Sequence, residues 1–173
     1  MLIKGIVDED FVNYKKPSMF INTSNCNFKC DKECGQQVCQ NSALAAQPTI
    51  DIDDKEIVEQ FFKNDISDAI VFGGLEPFDS WEELKDFLIE VEKYLEEHPG
   101  YAAPDIVIYT GYNKYEIIDK LFYLRNYYDL PFIIKFGRFM PNLKPIYDAV
   151  LGVKLASENQ YAARLKNLKL EEN

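Results

Sequence analysis

Short apolar runs alternate with amphipathic stretches along this chain, and the alternation predicts strands and helices in turn. Strands of the buried type are predicted where mostly apolar residues follow one another, at 18–22, 68–72, 105–109 and 132–135. Helices are predicted where apolar residues recur at helical spacing, over about 54–63, 80–97 and 114–126. Ser80, with Glu83 three residues later, has the pattern of a capping box at a helix start. The stretch 149–170 is expected to hold one more short strand, and 171–173 a solvated tail.

Alternation of strands and helices favours a parallel sheet with helical crossovers. A complete eight-fold βα barrel needs ~200 residues or more, and this chain has 173. We therefore expect one α/β domain over 1–173, a partial (open) βα barrel or open sheet of about five to six mostly parallel strands. In both architectures ligands bind beyond the carboxyl ends of the strands. Three loops that follow strands, at 23–48, 73–77 and 109–112, should therefore face the same mouth.

The charge of the chain narrows the classes of partner. There are 29 acidic and 19 basic residues, for a net charge of −10. A field of that sign repels phosphate, so binding to nucleic acid or to an anionic membrane is not expected as the main task. No apolar stretch approaches the ~18–20 residues that span a bilayer, and the N-terminus turns acidic at Asp8 before a signal-peptide core could form. We expect a cytoplasmic protein.

The cysteines are the most informative feature of the composition. All four lie between positions 26 and 39, as Cys26, Cys30, Cys34 and Cys39. In a reducing compartment such a group is seldom a disulfide framework, and thiolates favour zinc or iron–sulfur clusters. The loop has no C-x2-C pair and no nearby histidine, which are the usual marks of small zinc sites. The spacing suits an iron–sulfur cluster better, with structural zinc and free thiols as the alternatives.

The segment Gly73-Gly74-Leu75-Glu76-Pro77 follows the second predicted strand. Alone, it is typical of an ordinary strand-to-helix turn, in which glycine supplies positive φ and proline stiffens the exit. Together with the cysteine loop after the first strand, it resembles the layout of radical S-adenosylmethionine (SAM) enzymes.

The order of further segments resembles one small family in that group, the activating enzymes of anaerobic ribonucleotide reductase. The resemblance runs from about 19 to 165 and rests on five segments in order. They are the loop ending in Cys39-Gln40-Asn41, the strand and turn at 70–77, Tyr109-Thr110-Gly111-Tyr112, the segment 133–139, and 155–160, which is close to the Ser-Asn-Gln ending of the family.

The resemblance implies a specific chemistry. Three cysteines would hold a 4Fe–4S cluster whose fourth iron binds the amino and carboxylate groups of SAM. Reductive cleavage of SAM would then yield methionine and a 5′-deoxyadenosyl radical, which abstracts hydrogen from a glycine of the reductase. The reductase and an electron donor such as flavodoxin are the implied partners. The implied ligands are Cys26, Cys30 and Cys39 for the cluster, and Gly73, Gly74, Glu76, Pro77, Thr110 and Tyr112 for the cofactor.

The chain departs from the family pattern in three places. The family spacing is C-x3-C-x2-C, and only Cys26 and Cys30 fit it. The third ligand is either Cys39, favoured by the match of Gln40-Asn41, or Cys34, which is nearer in spacing. Leu75 stands where the family turn has its second glycine, and the glycine-rich stretch before the first strand has no good match. The alternatives are a radical SAM enzyme acting on another peptide or small molecule, and a non-catalytic zinc or iron–sulfur binding module.

Overall fold

A computed structural model of the protein describes residues 1–170, so the tail expected at 171–173 lies outside the described residues. The described chain forms a seven-stranded sheet in the order β3-β1-β2-β4-β5-β6-β9, and a separate hairpin, β7-β8. The strands are β1 (Leu2–Asp10), β2 (Ser18–Thr23), β3 (Ile50–Asp51), β4 (Ala69–Gly74), β5 (Asp105–Tyr109), β6 (Phe132–Phe136), β7 (Ile146–Asp148), β8 (Val153–Leu155) and β9 (Tyr161–Arg164). The helices are α1 (Lys29–Cys34), α2 (Ser42–Ala45), α3 (Asp54–Lys63), α4 (Trp81–Glu97) and α5 (Ile118–Tyr127).

The sheet is mixed, with a parallel centre and antiparallel margins. The central strands β2, β4, β5 and β6 are parallel neighbours, while β1, β3 and β9 pair antiparallel. The α/β class is thus confirmed. The expectation of five to six mostly parallel strands is corrected. The sheet has seven strands, and the three at its margins, β1, β3 and β9, pair antiparallel. Strand β1 was not predicted because its sequence, LIKGIVDED, contains several charged residues, whereas the buried strands of a parallel sheet are apolar throughout.

The two faces of the sheet bury different cores. Ile70, Phe72 and Ile134 belong to the larger core, which includes the apolar sides of α3, α4 and α5. Because side chains alternate along a strand, Val71 and Ile133 point to the opposite face and join a smaller core. The segment before β2 and the β7-β8 hairpin cover that second face.

The helices of the larger core lie close to their predicted positions, but one predicted cap is wrong. Ser80 makes no side-chain cap bond at the start of α4. Its hydroxyl accepts instead from Asn25 Nδ2 at 3.1 Å, which ties the cysteine loop to α4. A capping box does form one helix later, between Asn113 and Glu116. Among residues 1–170, no helix is long and apolar enough to cross a membrane.

Candidate metal and cofactor site

The loops that follow β2, β4 and β5 meet at the carboxyl edge of the parallel strands, as the topology predicts. A cavity of about 460 Å³ lies among them. Its wall includes Cys26 from the first loop, Gly74 from the second and Thr110 from the third. The loops are in close contact, because a Cβ added to Gly111 would lie 3.7 Å from Cys30 Sγ.

Three of the four cysteines share this cavity. Cys26, Cys30 and Cys39 line it, while Cys34 is not part of its wall. All four thiols are free and half-buried. Burial raises the pKa of Cys26 to about 11, and the negative charges of Glu76, Asp79 and Cys39 contribute to that rise. Burial also raises the pKa of Cys30, with a contribution from the nearby Cys39.

Helix α1 explains how Cys39 returns to the other two cysteines. The chain turns into α1 directly before Cys30, and the helix ends at Cys34 with Gly35 in the left-handed conformation. The carboxylate of Asp31 then accepts hydrogen bonds from the backbone N–H groups of Val38 and Cys39, both at 2.8 Å. This clamp folds the intervening residues into a compact excursion and leaves Cys39 beside the cavity.

These residues fit an iron–sulfur cluster by the chemistry of the donor set. Thiolates are the usual ligands of such clusters, and three thiols line a single cavity far larger than one ion. Within residues 1–170, no group of three or more His, Cys, Asp or Glu side chains is close enough to hold a single metal ion.

The glycine turn after β4 is attached to the cysteine loop. Asn41 donates its Nδ2 proton to the carbonyl oxygen of Gly74 at 2.5 Å. Gly74 has a φ of +75°, and an added Cβ would lie 2.5 Å from Asn22 Oδ1 and 2.8 Å from Leu44 Cδ2. Only glycine fits there without displacement. Leu75, the departure from the family pattern, is buried and lines the cavity.

Glu76 and Thr110 lock two of the loops together. The Thr110 hydroxyl donates to Glu76 Oε1 at 2.7 Å, and the Gly111 N–H donates to Oε2 at 2.8 Å. A third donor, the Phe78 N–H, reaches Oε1 at 3.1 Å. Burial raises the pKa of Glu76 to about 7, and the three donors oppose that rise. Both side chains line the cavity and hold its shape, and their direct contact with a cofactor stays a prediction.

Gly73, Pro77 and Tyr112 lie outside the wall of this cavity. A Cβ on Gly73 would lie 2.7 Å from the Phe20 ring, so the absence of a side chain at Gly73 lets that ring pack against β4. Pro77 is buried at the start of a 3-10 turn. The Tyr112 hydroxyl donates to Asp79 at 2.6 Å, and its ring borders a smaller space of about 20 Å³ beside Cys26 and Cys30.

Two cationic residues of the site were missed in the sequence. Arg138 donates to Glu116 at 2.7 Å and forms an ion pair with Glu33 of α1 at 3.3 Å, closing the flank beside Cys30. Lys135, near the end of β6, is buried and lines the cavity, and burial lowers its pKa to about 8. A charged residue inside an otherwise apolar strand was the available signal for Lys135.

Comparison of the chain with protein-family models, with curated proteins and with solved structures found no match.

Proposed function

We propose that the protein is a radical SAM activating enzyme, which generates a glycyl radical on an anaerobic ribonucleotide reductase. The observation that carries the proposal is the convergence of Cys26, Cys30 and Cys39 on one cavity at the carboxyl edge of a parallel sheet, against the turn at Gly74. The convergence supports Cys39 over Cys34 as the third ligand.

In this proposal the residues of the chain have distinct roles. A bound 4Fe–4S cluster would supply the electron for reductive cleavage of SAM. The three cysteines would hold it, and the backbone around Gly74 would face the amino end of SAM. Glu76 and Thr110 keep the second and third loops in register with each other. We further propose that the central strands act as the partial barrel expected from the sequence.

The partner and location are part of the same proposal. The substrate would be a glycine-bearing loop of the reductase, which enters the cavity mouth and shields it from water. Precise positioning of the donor hydrogen accounts for much of such a rate. A small electron donor such as flavodoxin would reduce the cluster, and we propose a cytoplasmic location, where thiols stay reduced.

The ligand assignment is tested by iron content. Cys26→Ala, Cys30→Ala and Cys39→Ala are each expected to lose most cluster iron after anaerobic purification, since each removes a thiolate. Cys34→Ala is the matched control and is expected to keep it. Iron retained by the Cys39 variant and lost by the Cys34 variant would reverse the assignment.

The reaction is tested by spectroscopy. The wild-type protein is expected to absorb broadly near ~400 nm and to bleach on reduction. Incubation with SAM, reductant and the reductase should give the EPR doublet of a glycyl radical on the reductase. Cleavage of SAM with turnover of another peptide or small molecule would identify the alternative enzyme. A colourless protein with stoichiometric zinc would identify a binding module.

A further inference from the structure

Arg138 brings a permanent positive charge close to two of the proposed cluster ligands. It lies two residues after the end of β6, and its side chain is only 8% exposed. Arg138 borders the space of about 20 Å³ whose wall also includes Cys26 and Cys30. A Cβ added to Gly111 would lie 3.5 Å from Arg138 Cγ and 3.7 Å from Cys30 Sγ, so the two side chains approach each other across this glycine. A guanidinium group stays protonated in proteins, so this charge does not depend on pH.

The acidic partners of Arg138 hold its guanidinium group but leave one donor unused. Nη2 donates to Glu116 Oε1 at 2.7 Å, and a carboxylate oxygen of Glu33 lies 3.3 Å from Nε. The second contact is an ion pair without a hydrogen bond, since Nε is buried and has no acceptor in the part of the chain that the structure describes. A buried donor without an acceptor is costly. The side chain is therefore suited to a negatively charged group that fills the space beside it.

The charges around the thiols differ between the two neighbouring cysteines. Burial raises the pKa of Cys26, and the negative charges of Glu76 and Asp79 add to that rise. Burial also raises the pKa of Cys30, but there Arg138 opposes the rise. Arg138 thus favours negative charge at Cys30. It does not line the cavity proposed to hold SAM, so its effect on the cysteines can be measured apart from binding of that cofactor.

Electron transfer is the step that such a charge affects. In the proposed function the donor loses one electron and the cluster gains it, so the cluster becomes more negative by one charge. The reduction potential of an iron–sulfur cluster depends on the charges around it and on hydrogen bonds to its sulfur atoms. We propose that Arg138 raises the reduction potential of the cluster held by Cys26, Cys30 and Cys39 and thereby favours its reduction by the donor. This inference rests on the cluster of the proposed function but not on SAM.

The test is an anaerobic potentiometric titration of the iron-loaded protein without SAM, followed by the absorbance near ~400 nm. Arg138→Met should make the one-electron reduction about 10-fold less favourable, which is a potential about 59 mV more negative. Arg138→Lys keeps the charge and should differ from the wild type by less than about 3-fold. Arg125 is the matched control, because it is exposed at the end of α5 and borders a pocket beside Pro131, before β6. Arg125→Met should leave the potential unchanged.

A variant of the acidic partner separates charge from structure. Glu116→Gln removes a negative charge that offsets Arg138, so it should shift the potential in the opposite direction, by about 2- to 3-fold. An unchanged potential in Arg138→Met, or shifts of the same sign in Arg138→Met and Glu116→Gln, would overturn the proposal. Thermal unfolding and iron content report whether each variant folds and is loaded. If Arg138→Met holds no iron, Glu116→Gln decides, and an unchanged or lowered potential there would overturn the proposal.

The outcomes also distinguish this inference from the proposed function. Full iron with a potential that does not depend on Arg138 refutes only the role of Arg138. A potential that does depend on Arg138, in a protein that neither cleaves SAM nor forms the glycyl radical, refutes only the proposed enzyme and supports an iron–sulfur binding module. A wild-type protein that holds no iron after anaerobic reconstitution would overturn both.

Discussion

Replacing Gly74 with alanine is expected to reduce the stability of the protein by two separable amounts. Gly74 has a φ of +75°, where a residue with a Cβ pays ~1–2 kcal/mol. The new Cβ would also lie 2.5 Å from Asn22 Oδ1, 2.8 Å from Leu44 Cδ2 and 3.2 Å from Asn22 Cα. Overpacking of this kind costs ~1–3 kcal/mol. The sum is about 2–5 kcal/mol, a large share of a typical domain stability of ~5–15 kcal/mol.

Gly35 provides the matched control. It has a φ of +64°, and no atom lies within 4 Å of its added Cβ. Gly35→Ala should therefore show the backbone cost alone, about 1–2 kcal/mol. Urea unfolding of both variants, with equal m-values required, measures the difference, which should be about 1–3 kcal/mol. Equal losses in the two variants would show that Asn22 and Leu44 do not confine Gly74.

The same variants also bear on the cofactor. Gly74 accepts from Asn41 and belongs to the turn proposed to face SAM. Gly74→Ala should weaken SAM binding while cluster iron is retained, because the cysteines are unchanged. Gly35→Ala should bind SAM like the wild type. Unchanged SAM affinity in the Gly74 variant would assign the turn a purely structural role.

Substitutions at two further positions, Asp31 and Glu116, test the contacts that hold the cysteine loop. Asp31→Ala should lose cluster iron to a chelator about 10-fold more readily, since it removes both hydrogen bonds that hold the chain at Cys39. Asp31→Asn, which keeps an acceptor oxygen, should stay near the wild type, and equal behaviour of the two variants would argue against the clamp. Hydrogen bonding to Arg138 lowers the pKa of Glu116 to about 2, with Lys29 contributing. The stabilisation from a carboxylate with a lowered pKa is complete above its ordinary pKa and is lost as the pH falls toward 2. Glu116→Gln should therefore lose less stability than the wild type as the pH falls from about 4.5 to 2. The difference in the free energy of unfolding should be ~1 kcal/mol or less, because the ion pair is partly exposed. Unfolding followed by circular dichroism at each pH measures it. The same pH dependence of stability in the variant and the wild type would contradict the pairing of Glu116 with Arg138.

The sequence predicted the elements whose pattern is local and strong. Helices α3 and α4 and the four central strands lie within about two residues of their predicted positions, since long apolar periodicity determines them. Strand β1 was missed because it is a partly exposed strand that β2 and β3 hold in place. The cap at Ser80 was wrong because a tertiary partner, Asn25, takes the hydroxyl that the local pattern assigns to the helix.

The candidate site could be predicted only in part, because contacts between distant segments decide which side chains reach it. Topology alone indicated that the three loops share a mouth, and the structure brings Glu76 and Thr110 together there. The sequence motifs did not predict the direction in which individual side chains point. Gly73 lies against Phe20, and Tyr112 turns toward Asp79, although both belong to segments that border the site.

The position of the third thiol follows from contacts and not from spacing along the chain. Eight residues separate Cys30 from Cys39, where the family pattern has two. The excursion is closed at its base by Asp31 and bridged to the rest of the fold where Arg138 meets Glu33 on α1. In the proposed assignment, the loop accepts these residues because they fold back on themselves and leave Cys39 beside the cavity. The hydrogen bonds of Asp31 to Val38 and Cys39 therefore support the proposed third ligand, which the count of residues between the cysteines left open.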